Sequence, residues 1–459
     1  MSFCQSNLSI SLILLALLFV SGCQHAVYMM PPPVAMQSGK HDPFANTPES
    51  QKSSSIIVGY ATNRLPFGAK QSRFYTSDFD QDIRMGLAEI RIGAGDQSWE
   101  EIHQLSIKGG QKYESLLSLQ EVSERGILTE QDSLDKLTPE LSDMFSRLNQ
   151  AVSDSPTGDI TIYVHGANNN FYRTASQAAQ YRHYTGRQAI VVLYSWPSAE
   201  SILRYGTDIR NIKETVPAFV RFVKLLARHT TARKINILAY SAGATLTTRS
   251  LAVIGRTAEH PDRAAYRESL RLGSIYFAAP DTDFDDFVDE YRSYQDIIDN
   301  VTVTINPNDT VLGIAMEDHR NRISGFGPFE QSRSGKSRLG KPDLDDLNKE
   351  QADWIIAQSW KPNFVVLAVD SSTIPGMAKG AHDYWYQSPW VSTDALLDLN
   401  FHALPGDRGL SYLETANKVR IWYFPADYEQ RVDKALDRLY EMYQRNIHDI
   451  QAADYTAVY

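Results

Sequence analysis

Short, almost wholly apolar runs recur along the middle of the chain, separated by stretches whose apolar residues fall at helical spacing. The runs are Ile160 to Val164, Ala189 to Tyr194, Lys234 to Ala239, Leu272 to Ala278, Val301 to Ile305 and Phe364 to Val369. Continuous apolarity over so few residues predicts strands buried on both faces. Between them, Thr174 to Tyr184 places Ala175, Ala178, Ala179 and Tyr181 along one helical face. Val216, Phe219, Val220, Val223, Leu226 and Ala227 do the same, as do Leu246, Leu251 and Ile254. Strands alternating with helices predict an α/β fold, a mostly parallel sheet covered on both faces, with functional groups at the carboxyl ends of its strands.

The residues at those strand ends suit covalent catalysis. Ile235 to Gly243 reads INILAYSAG, an apolar strand that stops at Ser241 between small residues and continues into a helix. A nucleophile elbow demands small residues two before and two after the serine, because the turn is sharp. Ala239 and Gly243 meet that demand, Ala239 with one methyl more than the usual glycine. The alternative is a serine in an ordinary tight turn, and chain order decides against it. Ser241, Asp309 and His382 follow successive strands in the order serine, acid, histidine expected of an α/β-hydrolase. Asp281 is the alternative acid, and its place in AAPDTDFDD suits a loop or capping residue better. His402 is the alternative base, whereas His319 precedes the last long strand and is wrongly placed.

Several motifs extend the pattern: YATNR (60 to 64), VHGANNNF (164 to 171), YSWPS (194 to 198), AAPDTD (278 to 283), NPNDTVL (306 to 312) and GAHDYW (380 to 385). In this set the chain resembles the α/β-hydrolase family known as domain-of-unknown-function-900, over roughly residues 55 to 410. It departs at the elbow, which reads Tyr-Ser-Ala rather than His-Ser-Met. The resemblance implies a hydrolase scaffold without implying a substrate. In such a fold His382 takes the proton of the Ser241 hydroxyl and Asp309 orients the ring. The oxyanion donors are the backbone N–H groups of Ala242 and Ala167. At least two of Asn168, Asn169 and Asn170 read as turn residues, and His165 as a loop brace.

The amino terminus bears on location. Leu8 to Val20 is apolar, of signal-peptide length, and ends in Val20-Ser21-Gly22-Cys23. This resembles a bacterial lipobox, implying a chain lipidated on Cys23, with Gln24 pointing to the outer membrane; an ordinary signal peptide or uncleaved anchor is the alternative, and the missing Lys or Arg before the run counts against the lipobox. Cys4 and Cys23 are the only two cysteines, so the mature monomer is left without a disulfide and a cysteine zinc cluster has no ligands. No H-E-x-x-H, P-loop or dinucleotide fingerprint occurs, and serine chemistry requires no cofactor or metal. A formal net charge of −10 argues against nucleic acid and against unaided binding to anionic lipid.

The expected organisation is therefore a signal peptide (1–22), a flexible lipidated tether (23–55), a sheet extension with a helical insertion (56–150), a hydrolase core (151–410) and a carboxyl-terminal strand and helix (411–459). Within the extension, Ile56 to Tyr60 and Leu87 to Ile92 read as strands, and Tyr113 to Val152 as a polar helical stretch, peripheral rather than a lid. Pro328 to Lys349 reads as an exposed loop near Asp309. Val432, Ala435, Leu436, Leu439 and Tyr443 form a stripe for packing on the domain, with a partner-binding helix as the alternative. Two functions remain open: a lipid-anchored serine hydrolase acting on small or lipid esters and thioesters, or a scaffolding lipoprotein that has lost efficient catalysis.

Overall fold

The computed structural model describes residues 26–441 apart from 38, 40, 96, 109–114, 202–203, 258–261, 313–337 and 343–348. The signal-peptide segment, Cys23, His319, Tyr443 and most of the 328–349 loop lie outside the described residues.

One sheet organises the molecule. Its strands are β1 (Val27–Tyr28), β2 (Ser55–Phe67), β3 (Phe74–Ile92), β4 (Leu116–Leu128), β5 (Ile160–Val164), β6 (Ile190–Ser195), β7 (Ile235–Tyr240), β8 (Leu272–Ala278), β9 (Asn300–Ile305), β10 (Phe364–Ala368), β11 (Ser411–Glu414) and β12 (Arg420–Tyr423). They lie in the order β1-β4-β3-β2-β6-β5-β7-β8-β9-β10-β12-β11. From β2 to β12 every neighbouring pair is parallel, and antiparallel strands close both edges. This is the α/β architecture the apolar runs predict.

Alternation along each strand divides the core between the two faces. Ile160, Ile162 and Val164 of β5, with Ile235, Ile237 and Ala239 of β7, face the helices Tyr205–His229, Gly243–Arg256 and Phe284–Tyr294. Tyr163, Leu238 and Tyr240 point the other way, toward Phe171–Tyr184 and Pro389–Phe401. A strand buried on both sides cannot use polar residues to mark a face, which is why these runs read as uniformly apolar.

Two expectations for the amino-terminal third are corrected. The described part of 26–55 is packed and not a flexible tether: Met29, Met30, Val34, Ala35, Met36 and Phe44 are buried, and β1 pairs with β4. The Met30 N–H donates to Gln180 Oε1 at 2.9 Å, and the Tyr184 hydroxyl donates to Met30 O at 3.0 Å. Its prolines and serines disguise enough apolar side chains to cover the helix Phe171–Tyr184. The second correction concerns Tyr113 to Val152, where Leu116–Leu128 is strand β4 and only Pro139–Asp154 is helix. Two register shifts against β3 break the alternation of β4, and that break hid the strand from its periodicity. The helix packs beside β4, where Gly126 leaves room for Leu141, and it reaches His229 O through Asn149 at 2.9 Å. It is peripheral to the sheet's carboxyl edge.

At the other end, residues 428–441 form a helix whose Val432, Leu436 and Leu439 are buried on the domain. Among the described residues, no helix is long and apolar enough to cross a membrane.

Candidate active site

β7 ends in a turn that places Ser241 at φ 52°, a backbone conformation uncommon for a residue with a Cβ. Sequence and sterics make that turn possible. A Cβ on Gly243 would meet Val164 O and His165 O at 2.6 Å, both of them backbone atoms that cannot swing aside. Ala239 lies fully buried in the β7 strand, so its extra methyl is accommodated by the core. The turn is pinned by the Ser241 N–H donating to Ala278 O at 2.9 Å and the Asp281 N–H donating to Ser241 O at 3.1 Å.

Asp309 and His382 arrive from the neighbouring strand ends. Beyond β9, Asp309 Oδ1 accepts the Leu312 N–H at 3.0 Å, which leaves Oδ2 for His382 Nδ1 at 2.8 Å. The other ring nitrogen, Nε2, lies 2.8 Å from Ser241 Oγ. With Asp309 accepting at Nδ1, the neutral ring carries its proton there and presents an acceptor to the serine hydroxyl. The loop after β10 is stitched to the acid's turn, because Asn306 Nδ2 donates to Ala381 O at 2.9 Å and Thr310 Oγ1 donates to Gly380 O at 3.0 Å. The Asp309 carboxylate is fully enclosed and the His382 side chain is 10% exposed, so water does little to dilute their interaction.

The loop after β5 forms the facing wall. A Cβ on Gly166 would come within 2.8 Å of Ser241 Cβ, so only glycine lets this loop sit against Ser241. Ala167 follows Gly166 in this loop, while Ala242 precedes the helix Gly243–Arg256 whose leading amides have no carbonyl of their own to bond. Its conformation is heavily braced. Asn169 Nδ2 donates to Ala167 O at 2.7 Å and Gly166 O at 3.1 Å, and Asn170 caps the helix Phe171–Tyr184 through the Arg173 N–H. Asn168, at φ 55°, donates its backbone N–H to Asp208 Oδ2 at 3.1 Å. His165 stacks on Trp196 at 4.9 Å and faces the carbonyls of Gly166 and Trp196. Burial first, then Arg64, pushes the His165 pKa well below its usual value, as suits a neutral brace.

The rival residues are engaged elsewhere. Asp281 sits beside the elbow, but its Oδ2 accepts the Tyr205 hydroxyl at 2.5 Å and its Oδ1 is 3.2 Å from Arg338 Nε. His402 caps the helix Pro389–Phe401 and bonds Asp159 at 2.7 Å, just before β5 begins. That is the opposite end of the parallel strands, which removes it as the base.

Three supports had no periodic signature in the sequence. Arg64, from the YATNR stretch, is fully buried and donates to Ser195 Oγ at 3.0 Å, to Thr76 O at 3.2 Å and to Asn169 O at 2.7 Å. Burial draws its pKa down to about 10. Asp208 accepts from Ala199, Asn168 and Ser198, and burial raises its pKa against those bonds. The third is the strap Arg338 to Lys341. Leu339 N–H donates to Thr282 O, Gly340 N–H to Pro280 O, and Gly340 O accepts from Asn306, while Lys341 Nζ donates to Asp309 O at 2.9 Å. Burial opposes the Arg338 charge, but Asp281, Tyr205, Asp283 and Asp286 outweigh it and raise its pKa. The strap thus ties the loop after β8 to the turn that carries Asp309.

Residues 142–361 match the family model described as alpha/beta hydrolase of unknown function (DUF900). The match covers β5 to β9 with Ser241 and Asp309, while the YATNR stretch and His382 lie outside it. No curated protein matches the chain.

Proposed function

We propose that this α/β-hydrolase is a serine hydrolase that cleaves carboxylic esters or thioesters through an acyl-enzyme. The observation that carries the reading is the hydrogen-bonded chain from Ser241 Oγ to His382 Nε2 and from His382 Nδ1 to Asp309 Oδ2, each link 2.8 Å. Ser241 Oγ attacks the carbonyl carbon as its proton passes to His382 Nε2. The carbonyl oxygen becomes an oxyanion facing the Ala242 and Ala167 amides. Collapse expels the alcohol or thiol, which leaves with the proton from His382. Water, deprotonated by the same ring, then attacks the acyl-serine and releases the acid. Asp309 orients the ring and stabilises the imidazolium. This chemistry needs no metal or cofactor.

The reading extends to place. We propose that Cys23 carries the lipid anchor and that the enzyme works at the bacterial outer membrane, facing the periplasm. Several acyl chains on one residue suffice for stable anchoring, at about 0.8 kcal/mol per buried CH₂.

A panel of p-nitrophenyl esters of graded chain length, with a matching thioester, tests the proposal. Turnover by the wild type should vanish in Ser241→Ala and fall steeply in His382→Ala. Turnover that survives Ser241→Ala would refute it, and a folded wild type inert to every ester and thioester would favour the scaffolding alternative.

A further inference from the structure

The first residue after β8 adopts a conformation that side chains with a Cβ avoid. Ala279 sits at φ 46°, between two backbone contacts that clasp the turn of Ser241. On one side of it Ala278 O accepts the Ser241 N–H at 2.9 Å, and on the other the Asp281 N–H donates to Ser241 O at 3.1 Å. The pairing of β8 with β9 ends at Phe277 and Val303, and a side chain of β9 takes over from it. Thr304 Oγ1 accepts the Ala279 N–H at 2.9 Å, donates to Phe277 O at 3.1 Å and lies 2.8 Å from the Tyr384 hydroxyl. A threonine hydroxyl has one proton and two lone pairs. With the proton on Phe277 O and one lone pair on the Ala279 amide, the remaining lone pair receives the Tyr384 O–H, so the tyrosine is the donor.

Tyr384 lies two residues beyond His382 and opens the short helix Tyr384–Gln387. It and Thr304 are fully buried, and burial raises the Tyr384 pKa, so the hydroxyl keeps the proton it donates. His382 is thereby tethered to β9 and its turn on both sides. Upstream, Ala381 O accepts from Asn306 and Gly380 O from Thr310; downstream, Tyr384 bonds Thr304. One hydroxyl therefore joins the loop that clasps Ser241 to the segment that carries His382. Filling the core needs only the Tyr384 ring, whereas joining the two segments needs its oxygen.

We infer that the Tyr384–Thr304 hydrogen bond sets the approach of His382 to Ser241, which makes Tyr384 a positioning residue for the proton transfer between them. The inference rests on the serine hydrolase reading and adds to it a side chain so enclosed that substrate does not reach it. Without the tyrosine oxygen, the Ala279 turn and the His382 segment lose their shared anchor, and the 2.8 Å contact from His382 Nε2 to Ser241 Oγ is free to lengthen. Asp309 still orients the ring, so the loss falls on the distance across which the proton moves. A misplacement of about 1 Å can cost about a hundredfold in rate.

The test compares Tyr384→Phe with the wild type in the full chain, reading kcat and KM on a p-nitrophenyl ester, the rate of fluorophosphonate labelling, and the urea midpoint. Phenylalanine keeps the ring and leaves Thr304 its bonds to Ala279 and Phe277, so the midpoint should stay near that of the wild type. Labelling and kcat should each fall roughly tenfold or more, with KM unchanged because no surface that meets substrate has been altered. Thr304 supplies a second arm that serves even if Tyr384→Phe does not fold. Thr304→Val removes the hydroxyl and should lower kcat, Thr304→Ser keeps it and should recover most of that loss, and adding Tyr384→Phe to Thr304→Val should lower kcat no further. A folded Tyr384→Phe that keeps wild-type kcat and labelling, or a Thr304→Val as active as Thr304→Ser, would overturn the inference and leave the hydrolase proposal standing. A wild type inert to ester and phosphonate alike would instead remove the reading beneath it, and the inference with it.

Discussion

Replacing Arg64 by Met separates the support of the site from the support of the fold. Stability comes first. Ser195 Oγ keeps Thr174 Oγ1 at 3.2 Å after the guanidinium is gone, so Asn169 O is the enclosed acceptor that loses a partner. A buried acceptor left unpaired costs about 1–3 kcal/mol. Against that, the fall of the Arg64 pKa from 12.5 to about 10 says that burying its charge costs about 3 kcal/mol, which methionine would relieve. The two nearly cancel, and methionine fills much of the space. The urea midpoint should therefore move little. Catalysis has no such compensation. Asn169 belongs to the loop that carries Ala167, and a mispositioned oxyanion donor costs about 3 kcal/mol, or roughly a hundredfold in rate. The assay pairs the rate of fluorophosphonate labelling with urea unfolding on the same preparations. Labelling at the wild-type rate by a folded Arg64→Met would refute the argument that this residue positions the oxyanion-side loop.

Other substitutions probe separate links. Asp309→Asn leaves a group of similar shape but can hold the proton of His382 on Nε2, where it faces the serine; the labelling rate should fall by about 10⁴ with the fold intact by circular dichroism. Gly243→Ala places a Cβ 2.6 Å from two backbone carbonyls, so calorimetry should register a loss of about 1–3 kcal/mol together with loss of labelling. Glu290, its side chain 14% exposed, has its pKa raised by burial to about 7 from the usual 4.5. The folded state therefore holds this proton more tightly than the unfolded chain. Its contribution is complete below pH 4.5 and is lost as pH rises through about 7, with a ceiling of about 3 kcal/mol. Urea midpoints measured across that window should fall with pH in the wild type and fall less in Glu290→Gln.

The central strands were legible because burial on both faces leaves a continuous apolar run with few alternatives. The edges were harder. β4 carries Glu121, Glu124 and Arg125 and two register shifts, so no clean period of two survives along it. The segment after Ala26 packs through Met29, Met30 and Met36, scattered among prolines that suggest a linker. At the site, the serine, acid and histidine were legible because each follows one of the apolar strands and their order along the chain is constrained. Arg64 left a trace in the YATNR motif, though not its role, since its partners at 76, 169 and 195 come from three other segments. The strap Arg338 to Lys341 follows a polar stretch with no period at all, and its value lies in backbone bonds that residue types do not encode.

The nucleophilic role of Ser241 can be read directly by intact-protein and peptide mass spectrometry after treatment with a fluorophosphonate. One adduct per chain, on the peptide that contains Ser241 and absent from His382→Ala on the same timescale, is the expected result. A folded protein that takes up no phosphonate, or one modified at another serine, would contradict the proposal that the 2.8 Å contact between Ser241 and His382 makes an active nucleophile.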